Sequence, residues 1–453
     1  LFYMSVFSTS LRTTIIDPSF HSQDRCEFRI DNRGQSFMPT LRLGNLGLQK
    51  AVDNNNKYAV GPGGLGIISR IRLMDGNEEL DSLRNVGQWM TFKNALKSNA
   101  QNTSVFNNLD GNTQGKIYGA PEGFLEHADP KRVREGQADT LCTLDLREVF
   151  PFLNSISHLS TKLFKNLRVV IEYQPNTKPA LMVKDTSANG VAGLAKVVPI
   201  LVLDEIEDMA LVATLDKQMM SASWVSVEHD QVNLPAVTPA VTAHGDKSAQ
   251  RQQLRVNGFL NKTCSRLMIA KTYEDAANNL DGTSVRELGG YGSKALFKEA
   301  VNLRVNGGNL VAGNGLETPA QIQGLLSDTW GSITTTPFAN QQSVGLDDTY
   351  AVTGPLNTIG ITPTQPSVLT TALDGGAGGT GPQTGYSISN SSWVGFPIHA
   401  RVSDMSLDIA RTGSYSEGTS SSAGNFQALN IHLFAEVARG LTVSNGSYKV
   451  FYS

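Results

Sequence analysis

The sequence predicts an all-β protein and contains one short internal match that two similar halves in tandem would produce. Apolar and polar side chains alternate with a period of two along much of the chain, which is the pattern of half-buried strands. A short strand-and-turn pattern also recurs about half a chain length later. Segments with helical spacing are few, and this excludes a mainly helical fold.

The alternation is clearest in four segments, at 25–31, 167–174, 405–409 and 429–437. Strands of this kind are typical of antiparallel sheets packed as sandwiches. In the first segment the pattern places Cys26 on the apolar face, so we expect it to be buried. Near the end of the chain, Asn445-Gly446 lies between two alternating segments and predicts a tight hairpin.

Two helices are expected. Asn77 is placed to cap the first, because apolar residues after it recur at steps of three and four, at Leu80, Leu83, Val86, Met90 and Leu96. The second is a shorter helix in 145–150 that ends at Pro151, since proline cannot continue a helix.

The recurring pattern joins Ile71–Asn77 to Leu303–Asn309, which share an order of apolar residue, arginine, apolar residue and a turn ending in Gly-Asn. Duplication of one fold would produce this match, and so would coincidence between two strand-and-turn segments. If the chain is duplicated, the acidic stretch 204–208 is where we divide it, because a new strand region begins near Trp224.

The second half contains a long segment of unusual composition. Residues 305–400 include five acidic side chains and no lysine or arginine, and they are rich in Gly, Ser, Thr, Asn and Pro. Such composition marks a solvated connection, and loops of this length are often functional surfaces. We expect the segment to project from the second half.

Composition excludes several classes of protein. With 453 residues, of which 40% are hydrophobic, the chain can bury cores and is not a disordered scaffold. A balance of 38 basic and 41 acidic residues does not indicate a nucleic-acid binder. No apolar run has the length of a membrane-spanning helix, and three cysteines indicate a reducing compartment. The first residues have no signal-peptide pattern and are expected to form a docking arm.

The sequence offers no convincing site for metal or catalysis. The seven histidines lack metal-ligand spacing, and His432, on the polar face of its strand, is expected at the surface. His229 and Asp230 are adjacent in a strand, so they point to opposite faces. The cysteines lie in apolar strands, as small buried residues do, and the carboxylate pairs Glu78-Glu79 and Asp347-Asp348 do not form an acid/base pair.

Two glycine-rich segments are interpreted as turns. Gly111–Ile117 has too few residues between its glycines for a phosphate loop and ends in isoleucine where a Ser or Thr would bind magnesium. Gly290–Ala295 lacks the preceding parallel strand of a dinucleotide-binding unit. We therefore predict no catalytic, cofactor-binding or metal-binding residue and no enzymatic activity.

Three passages, spread over both halves, resemble the double jelly-roll major capsid proteins. This family includes adenovirus hexon and the coat proteins of tectiviruses. The passages are most similar to the capsid proteins of Polinton-like viruses and virophages. The first, 63–80, is similar to a strand, turn and helix of the first jelly roll. The second, 144–172, resembles a later strand pair with a Phe-rich turn, and the third is Leu303–Asn309, the matching turn of the second roll.

The resemblance implies two tandem eight-stranded antiparallel jelly rolls with a few short helices. It divides the chain into an arm (1–20), a first roll (21–210) and a second roll (211–453), with a tower-like insertion at 307–393. It implies a homotrimer that forms a pseudo-hexameric capsomer in the icosahedral shell of a DNA virus. Expected partners are neighbouring capsomers, minor capsid or penton proteins and, through the arm, an internal membrane, but no specific nucleic-acid sequence.

Two other functions stay open. A carbohydrate-binding or glycan-active β-sandwich would share the strand pattern, and it would need a His or carboxylate cluster inside one sandwich. An adhesive module would use the acidic insertion, with calcium bound by several of its carboxylates.

Overall fold

The computed structural model describes residues 11–32, 34–47, 57–58, 63–97, 142–174, 182–183, 196–218, 221–235, 251–273, 300–313, 315–316, 319–331, 393–410, 429–444 and 446–452. Within these ranges the chain is mostly antiparallel strand, as the alternation predicts. Among the described helices, none is long and apolar enough to cross a membrane.

The described residues of the first half form thirteen short strands and two helices. The strands are β1 (Leu11–Ile16), β2 (Phe20–His21), β3 (Arg25–Arg29), β4 (Ser36–Phe37), β5 (Arg42–Leu46), β6 (Lys57–Tyr58), β7 (Ile68–Asp75), β8 (Glu78–Arg84), β9 (Cys142–Asp145), β10 (Leu159–Ser160), β11 (Leu167–Tyr173), β12 (Met182–Val183) and β13 (Ile200–Ile206). The helices are α1 (Val86–Lys97) and α2 (Phe152–Ser155), and 3₁₀ turns occupy Gly63–Ile67 and Leu146–Glu148.

The second half has longer strands. It comprises α3 (Met209–Gln218), β14 (Ser221–Leu234), β15 (Arg251–Arg255), β16 (Thr263–Tyr273), β17 (Ala300–Val305), β18 (Gly308–Asn309), α4 (Pro319–Trp330), β19 (Val394–Arg401), β20 (Met405–Ala410), β21 (Leu429–Ser444) and β22 (Ser447–Tyr452). Its core is a separate cluster of buried side chains that includes Val301, Leu407 and Leu433.

The two halves have the same sheet topology. In the first, four main strands of each sheet run β1-β13-β5-β9 and β3-β11-β7-β8, and in the second they run β14-β21-β16-β19 and β15-β20-β17-β18. The short strands β2, β4 and β10 and the hairpin strand β22 pair alongside these, and β6 pairs with β12 separately. If the eight main strands of each half are counted in chain order, both halves read 1-8-3-6 in one sheet and 2-7-4-5 in the other. This order is that of a jelly roll, in which two four-stranded sheets pack face to face. The fold is therefore two tandem jelly rolls, as predicted.

The recurring sequence pattern corresponds to equivalent hairpins in the two rolls. Asp75 pairs with Glu78 across the β7–β8 turn, and Val305 pairs with Gly308 across the β17–β18 turn. Gly76 has a φ of 59°, whereas Asn306 and Gly307 have φ of 52° and 82°. Two-residue hairpins need such positive φ values, and glycine and asparagine adopt them most readily. The predicted hairpin near the end of the chain is also present, since Ser444 pairs with Ser447.

A helix is present in this region, but the prediction that it begins just after Asn77 was wrong. Residues 78–84 form β8, and α1 begins only at Val86. The pairing of β8 with β7 shifts by one residue at Leu80, which makes a β-bulge. A bulge adds one residue to the strand, so two residues on the same face are separated there by three positions and not two. Leu80 and Leu83 are both buried for this reason, and their spacing of three is the same as that of a helix.

The expected helix in 145–150 is a single 3₁₀ turn. The Asp145 carboxylate accepts a hydrogen bond from the backbone N–H of Arg147 and caps this turn. A four-residue helix, α2, then follows Pro151 instead of ending before it. Proline is tolerated at the start of a helix, where its missing N–H has no partner to lose.

Two expected loop segments contain regular structure. Leu11–Ile16, within the predicted arm, form β1, which pairs with β13 over six residues. Within the predicted insertion, 319–330 form α4, whose Ile322 and Leu326 are buried. Residues 1–10 and 332–392 lie outside the described residues. The amphipathic spacing of α4 was overlooked because the composition around it is that of a loop.

Helix α4 depends on a glycine in the strand beneath it. A Cβ at Gly395 of β19 would lie 2.8 Å from Trp330 Cδ1 and 3.1 Å from Leu326 Cα, whereas a Cβ at Gly324 in α4 itself meets nothing within 4 Å. We expect Gly395→Ala to lower the free energy of unfolding by about 1–3 kcal/mol through overpacking. The matched Gly324→Ala should raise it by about 0.5–1 kcal/mol, because alanine favours a helix. Urea denaturation of both variants measures this, and equal effects would contradict the packing of α4 on β19.

Candidate functional site

The described feature with the most specific chemistry is the interface between the two rolls. Strand β8 and helices α1 and α2 of the first roll contact β14 and β21 of the second, and Phe164 of the first roll contacts Tyr448 of β22. Helix α1 presents Trp89 and Phe92 on one side, at a spacing of three, and both are buried. The hydrophobic core of the first roll therefore continues across the boundary into residues of the second.

Aromatic rings form the apolar part of this interface. Trp89 lies 5.7 Å from Phe434 and 5.8 Å from Trp330, measured between ring centroids. Phe92 lies 5.2 Å from Trp330 and 5.4 Å from Trp393. Edge-to-face and tilted pairs at these distances are favourable beyond the apolar area they bury. Helices α1 and α4 and strand β21 are thus held together by one cluster of five rings.

Asp81 is the charged centre of the same interface. It is fully buried in β8, and its carboxylate accepts hydrogen bonds from the Ser226 hydroxyl of β14 and from the backbone N–H groups of Phe152 and Ser82. The guanidinium of Arg439 in β21 lies 4.0 Å away. Burial is the largest influence and raises the pKa of Asp81 to about 6, although all four partners favour the ionised form.

Arg439 connects the charged centre to the aromatic side chains. Its Nη2 donates to the backbone carbonyl of Glu79, and the guanidinium lies 5.6 Å from the ring of Trp224 and 5.0 Å from that of Tyr452. A cation over an aromatic face is attracted by the ring quadrupole, and most strongly where water is excluded. Nearby, the Tyr448 hydroxyl of β22 donates to the Asp75 carboxylate at 2.7 Å. The hydrogen bonds from Arg439 to Glu79 and from Tyr448 to Asp75 join one roll to the other, whereas the two ring contacts of Arg439 lie within the second roll.

Three polar side chains meet at the edge of this interface. His229 Nε2 lies 3.1 Å from His432 Nδ1, and the side-chain amide of Asn85 lies 3.0 Å from the first nitrogen and 3.3 Å from the second. The histidines sit at diagonal positions of the β14–β21 ladder, where Gln231 pairs with His432, so their side chains share one face. Burial, with a smaller contribution from Arg84, lowers the pKa of His229 to about 3.

The expectation that His432 lies at the surface was wrong, because it is only 7% exposed. Alternation along β21 correctly groups His432 with Phe434, but it cannot say what covers that face. In the structure α1 and Asn85 of the first roll cover it. Asp230 points the other way, as predicted, and accepts a hydrogen bond from the backbone N–H of Gly258.

A cleft of about 550 Å³ opens beside the histidines, between the two rolls. Its lining is polar and includes Arg70, Arg84, Glu172 and His229. Two of its charges are paired across neighbouring strands: Arg70 with Glu79 at 2.8 Å, and Glu172 with Arg72. The cleft gives solvent a path to the imidazole of His229.

The other residues considered from the sequence are structural or lie outside the described ranges. Cys26 and Cys264 are buried as expected, and burial raises the pKa of each thiol to about 12, so neither is a thiolate at neutral pH. Glu79 pairs with Arg70 and Ser82, whereas its neighbour Glu78 is exposed. The segments Gly111–Ile117, Gly290–Ala295 and Asp347-Asp348, and the side chain of Cys142, fall outside what the structure describes. Within the described ranges, no three His, Cys, Asp or Glu side chains group as metal ligands.

Sequence reasoning missed Asp81, Arg439 and Asn85. An aspartate between Leu80 and Leu83 is a signal in itself, because a charge inside an apolar segment needs a partner. Ser226 and Arg439 lie about 145 and 360 residues further along, and only the tertiary fold brings them to it.

The buried carboxyl predicts a pH dependence of stability. Because the folded-state pKa of Asp81 is raised from 3.8 to about 6, its protonation stabilises the fold, fully below pH 3.8 and progressively less as the pH rises through 6. Asp81→Asn removes this dependence. Between pH 4 and 7 the free-energy difference between wild type and variant should change by about 2 kcal/mol, in the direction of a less stable wild type. Urea denaturation across this range measures it, with Asp328→Asn on the exposed side of α4 as control, and a constant difference contradicts it.

The aromatic cluster predicts a large loss on truncation. Trp89→Ala removes contacts to both Phe434 and Trp330 and should lower the free energy of unfolding by about 3–5 kcal/mol. Met209→Ala is the control, because Met209 is 61% exposed and its truncation should change stability by less than about 0.5 kcal/mol. Thermal or urea unfolding distinguishes the two, and a Trp89→Ala effect as small as that of the control would contradict the interface.

No family model matches the chain, and no curated protein matches its sequence. Solved structures do match its fold. The capsid of PBCV-1 matches with a TM-score of 0.52 at 12% identity, over 98% of this chain and 97% of that one. The major capsid protein of mavirus gives 0.51 at 8% identity, over 98% and 90%, and the Sputnik virophage structure gives 0.52 at 9% identity, over 98% and 88%. The chain therefore has, over nearly its whole length, the fold of these viral capsid proteins.

Proposed function

We propose that the chain is a structural major capsid protein that forms trimeric, pseudo-hexameric capsomers in an icosahedral viral shell and has no catalytic activity. One observation carries the proposal most: the same eight-stranded roll occurs twice in one chain, and a buried interface joins the two copies. A protein that only needed a single binding sandwich would gain nothing from this arrangement.

The geometric argument starts from symmetry. A three-fold ring of identical chains places three copies of each roll around its axis. Because the two rolls share one topology, the ring presents six similar blocks, which suits a hexagonal lattice. Such packing requires that the rolls do not move relative to each other. The five-ring cluster and the Asp81–Ser226 hydrogen bond support this rigidity.

The matched structures support the same role. The matched structures from PBCV-1 and mavirus are of a virus capsid and a major capsid protein. Coverage is nearly complete in both directions, so neither chain has a large extra domain relative to this one. We extend their role to this chain, with virions as its location.

From the expected division into an arm (1–20), a first roll (21–210) and a second roll (211–453) with an acidic insertion (307–393), we propose a narrower arm and insertion. The arm is the part before β1, because β1 pairs within the sheet of the first roll, and the outer insertion is the part after α4, because α4 packs on β19. The arm would contact neighbouring capsomers, minor capsid or penton proteins, or an internal membrane. Ile15 of β1 and Phe20 of β2, which are 62% and 52% exposed, support a contact role beside it.

The proposal predicts a stable trimer. Multi-angle light scattering of the purified chain should give three times the mass of one chain, and electron microscopy should show particles with a hexagonal outline. A monomer that retains glycans would favour the carbohydrate-binding alternative and contradict the capsomer. Trp89→Ala is an internal test: it should blur the hexagonal outline if rigid placement of the rolls is what assembly needs.

A further inference from the structure

We propose that the outer surface of the sheet β3-β11-β7-β8 in the first roll binds a sulfated polysaccharide. This surface, the arginine face, consists of the outward-pointing residues of the four strands. They include three glutamates and six arginines, which are Arg25, Arg29, Arg70, Arg72, Arg84 and Arg168. The site is independent of the capsid proposal, because it rests only on the charges and geometry of this sheet.

Strand register places the arginines side by side. Arg168 of β11 pairs with Arg29 of β3, and Arg70 of β7 pairs with Arg84 of β8. Val169, the neighbour of Arg168 in sequence, is fully buried in the core of the roll. Because side chains alternate between the two faces of a strand, Arg168 and its cross-strand partners lie on the outer face. Three strand spacings of about 4.8 Å separate β3 from β8, so the positive charges extend over about 14 Å.

The face carries more positive charge than its own carboxylates neutralise. Six arginines and three glutamates leave a surplus of three positive charges, in a chain whose net charge is −3. One carboxylate, that of Glu27, lies 2.8 Å from Arg25 and 3.2 Å from Arg29. Arg168 lies 3.3 Å from the same carboxylate. The side chains of Arg25 and Arg29 are 44% and 66% exposed, and each guanidinium has five N–H donors, so donors are left for a ligand.

At the other edge of the face, an unpaired positive charge lies beside a concave site. Arg84 is exposed and has no carboxylate partner among the described residues. Together with Arg70 it lines the polar cleft of about 550 Å³. Both carboxylates of the lining are engaged, since Glu172 is in an ion pair of its own sheet and Asp230 accepts a backbone N–H. The cleft therefore offers guanidinium donors to a sulfate group without a competing free carboxylate.

The make-up of the face favours a sulfated polysaccharide over two other polyanions. Its cations are all arginines, whose planar guanidinium binds oxyanions through two parallel hydrogen bonds. Proteins that bind single-stranded nucleic acid also stack its bases on aromatic rings, and no outward position of these four described strands holds one. An acidic protein partner would need an apolar centre to dock on, whereas Val170, in the middle of the face, is only 2% exposed.

The alternative is a ladder of surface ion pairs that binds no ligand. In that case the chain, with its net negative charge, has no affinity for sulfate polymers beyond the nonspecific attraction of any arginine. Loss of binding that depends on where an arginine lies distinguishes the two.

The test is calorimetric titration of heparin, a sulfated polysaccharide, into the purified full-length chain at neutral pH in about 50 mM salt, where screening is weak. We expect saturable binding that weakens as salt is added. Arg29→Gln combined with Arg84→Gln should lower the affinity about tenfold, because each removes charge-assisted hydrogen bonds. Arg12→Gln combined with Arg255→Gln is the matched control. Both control residues are exposed and lie on other sheets, so the same change in charge should leave the affinity unaltered.

The proposal is overturned if heparin does not bind, or if the control pair lowers the affinity as much as the pair on the arginine face. Desulfated heparin that binds as tightly as heparin would show that sulfate is not recognised, and would also overturn it. Equal or tighter binding of single-stranded DNA or polyglutamate would assign the face to another polymer and count against the polysaccharide. Thermal unfolding checks the fold of each variant. If the pair on the face does not fold, Arg25→Gln with Arg255→Gln as its control decides.

Discussion

The structure depends on how the buried carboxylate of Asp81 is accommodated between the two rolls. An isolated carboxylate in an apolar interior is strongly unfavourable, so its partners decide whether the interface can form. Two backbone N–H groups come from its own roll, whereas the Ser226 hydroxyl and the Arg439 guanidinium come from the other. Separation of the rolls would remove half of these partners. The polar centre therefore favours one relative placement, while the surrounding rings provide most of the apolar burial.

Apolar and polar contacts contribute differently to this interface. Rings such as Trp89 and Phe92 exclude water and tolerate small shifts, because dispersion and the hydrophobic effect are not strongly directional. Hydrogen bonds to Asp81 and from Tyr448 to Asp75 are directional and tolerate little displacement. Together they make two domains of the same topology behave as one block.

The cluster of Asn85, His229 and His432 lies where the same boundary opens to solvent. Asp81 and Asn85 lie four residues apart, at the middle and just beyond the end of β8, so one short segment supplies both the buried carboxylate and the amide at the cleft. The bulge at Leu80 contributes to this placement. It changes which side chains of β8 face the second roll and brings Asp81 inward beside Leu80. The bulge that made β8 resemble a helix in the sequence therefore helps to place Asp81 against the second roll.

By itself, the sequence determined the strand content, the burial of Cys26, the hairpin near the end of the chain and the duplicated turn, because these depend on neighbours within a few residues. It misplaced α1, overlooked α3 and α4, and put His432 at the surface. Tertiary structure alone decided the interface. Alternation tells which residues of β21 share a face, but what covers that face comes from α1, more than 300 residues earlier in the chain. The partners of Asp81 and of the histidines are equally distant in sequence, and no local pattern encodes contacts of that range.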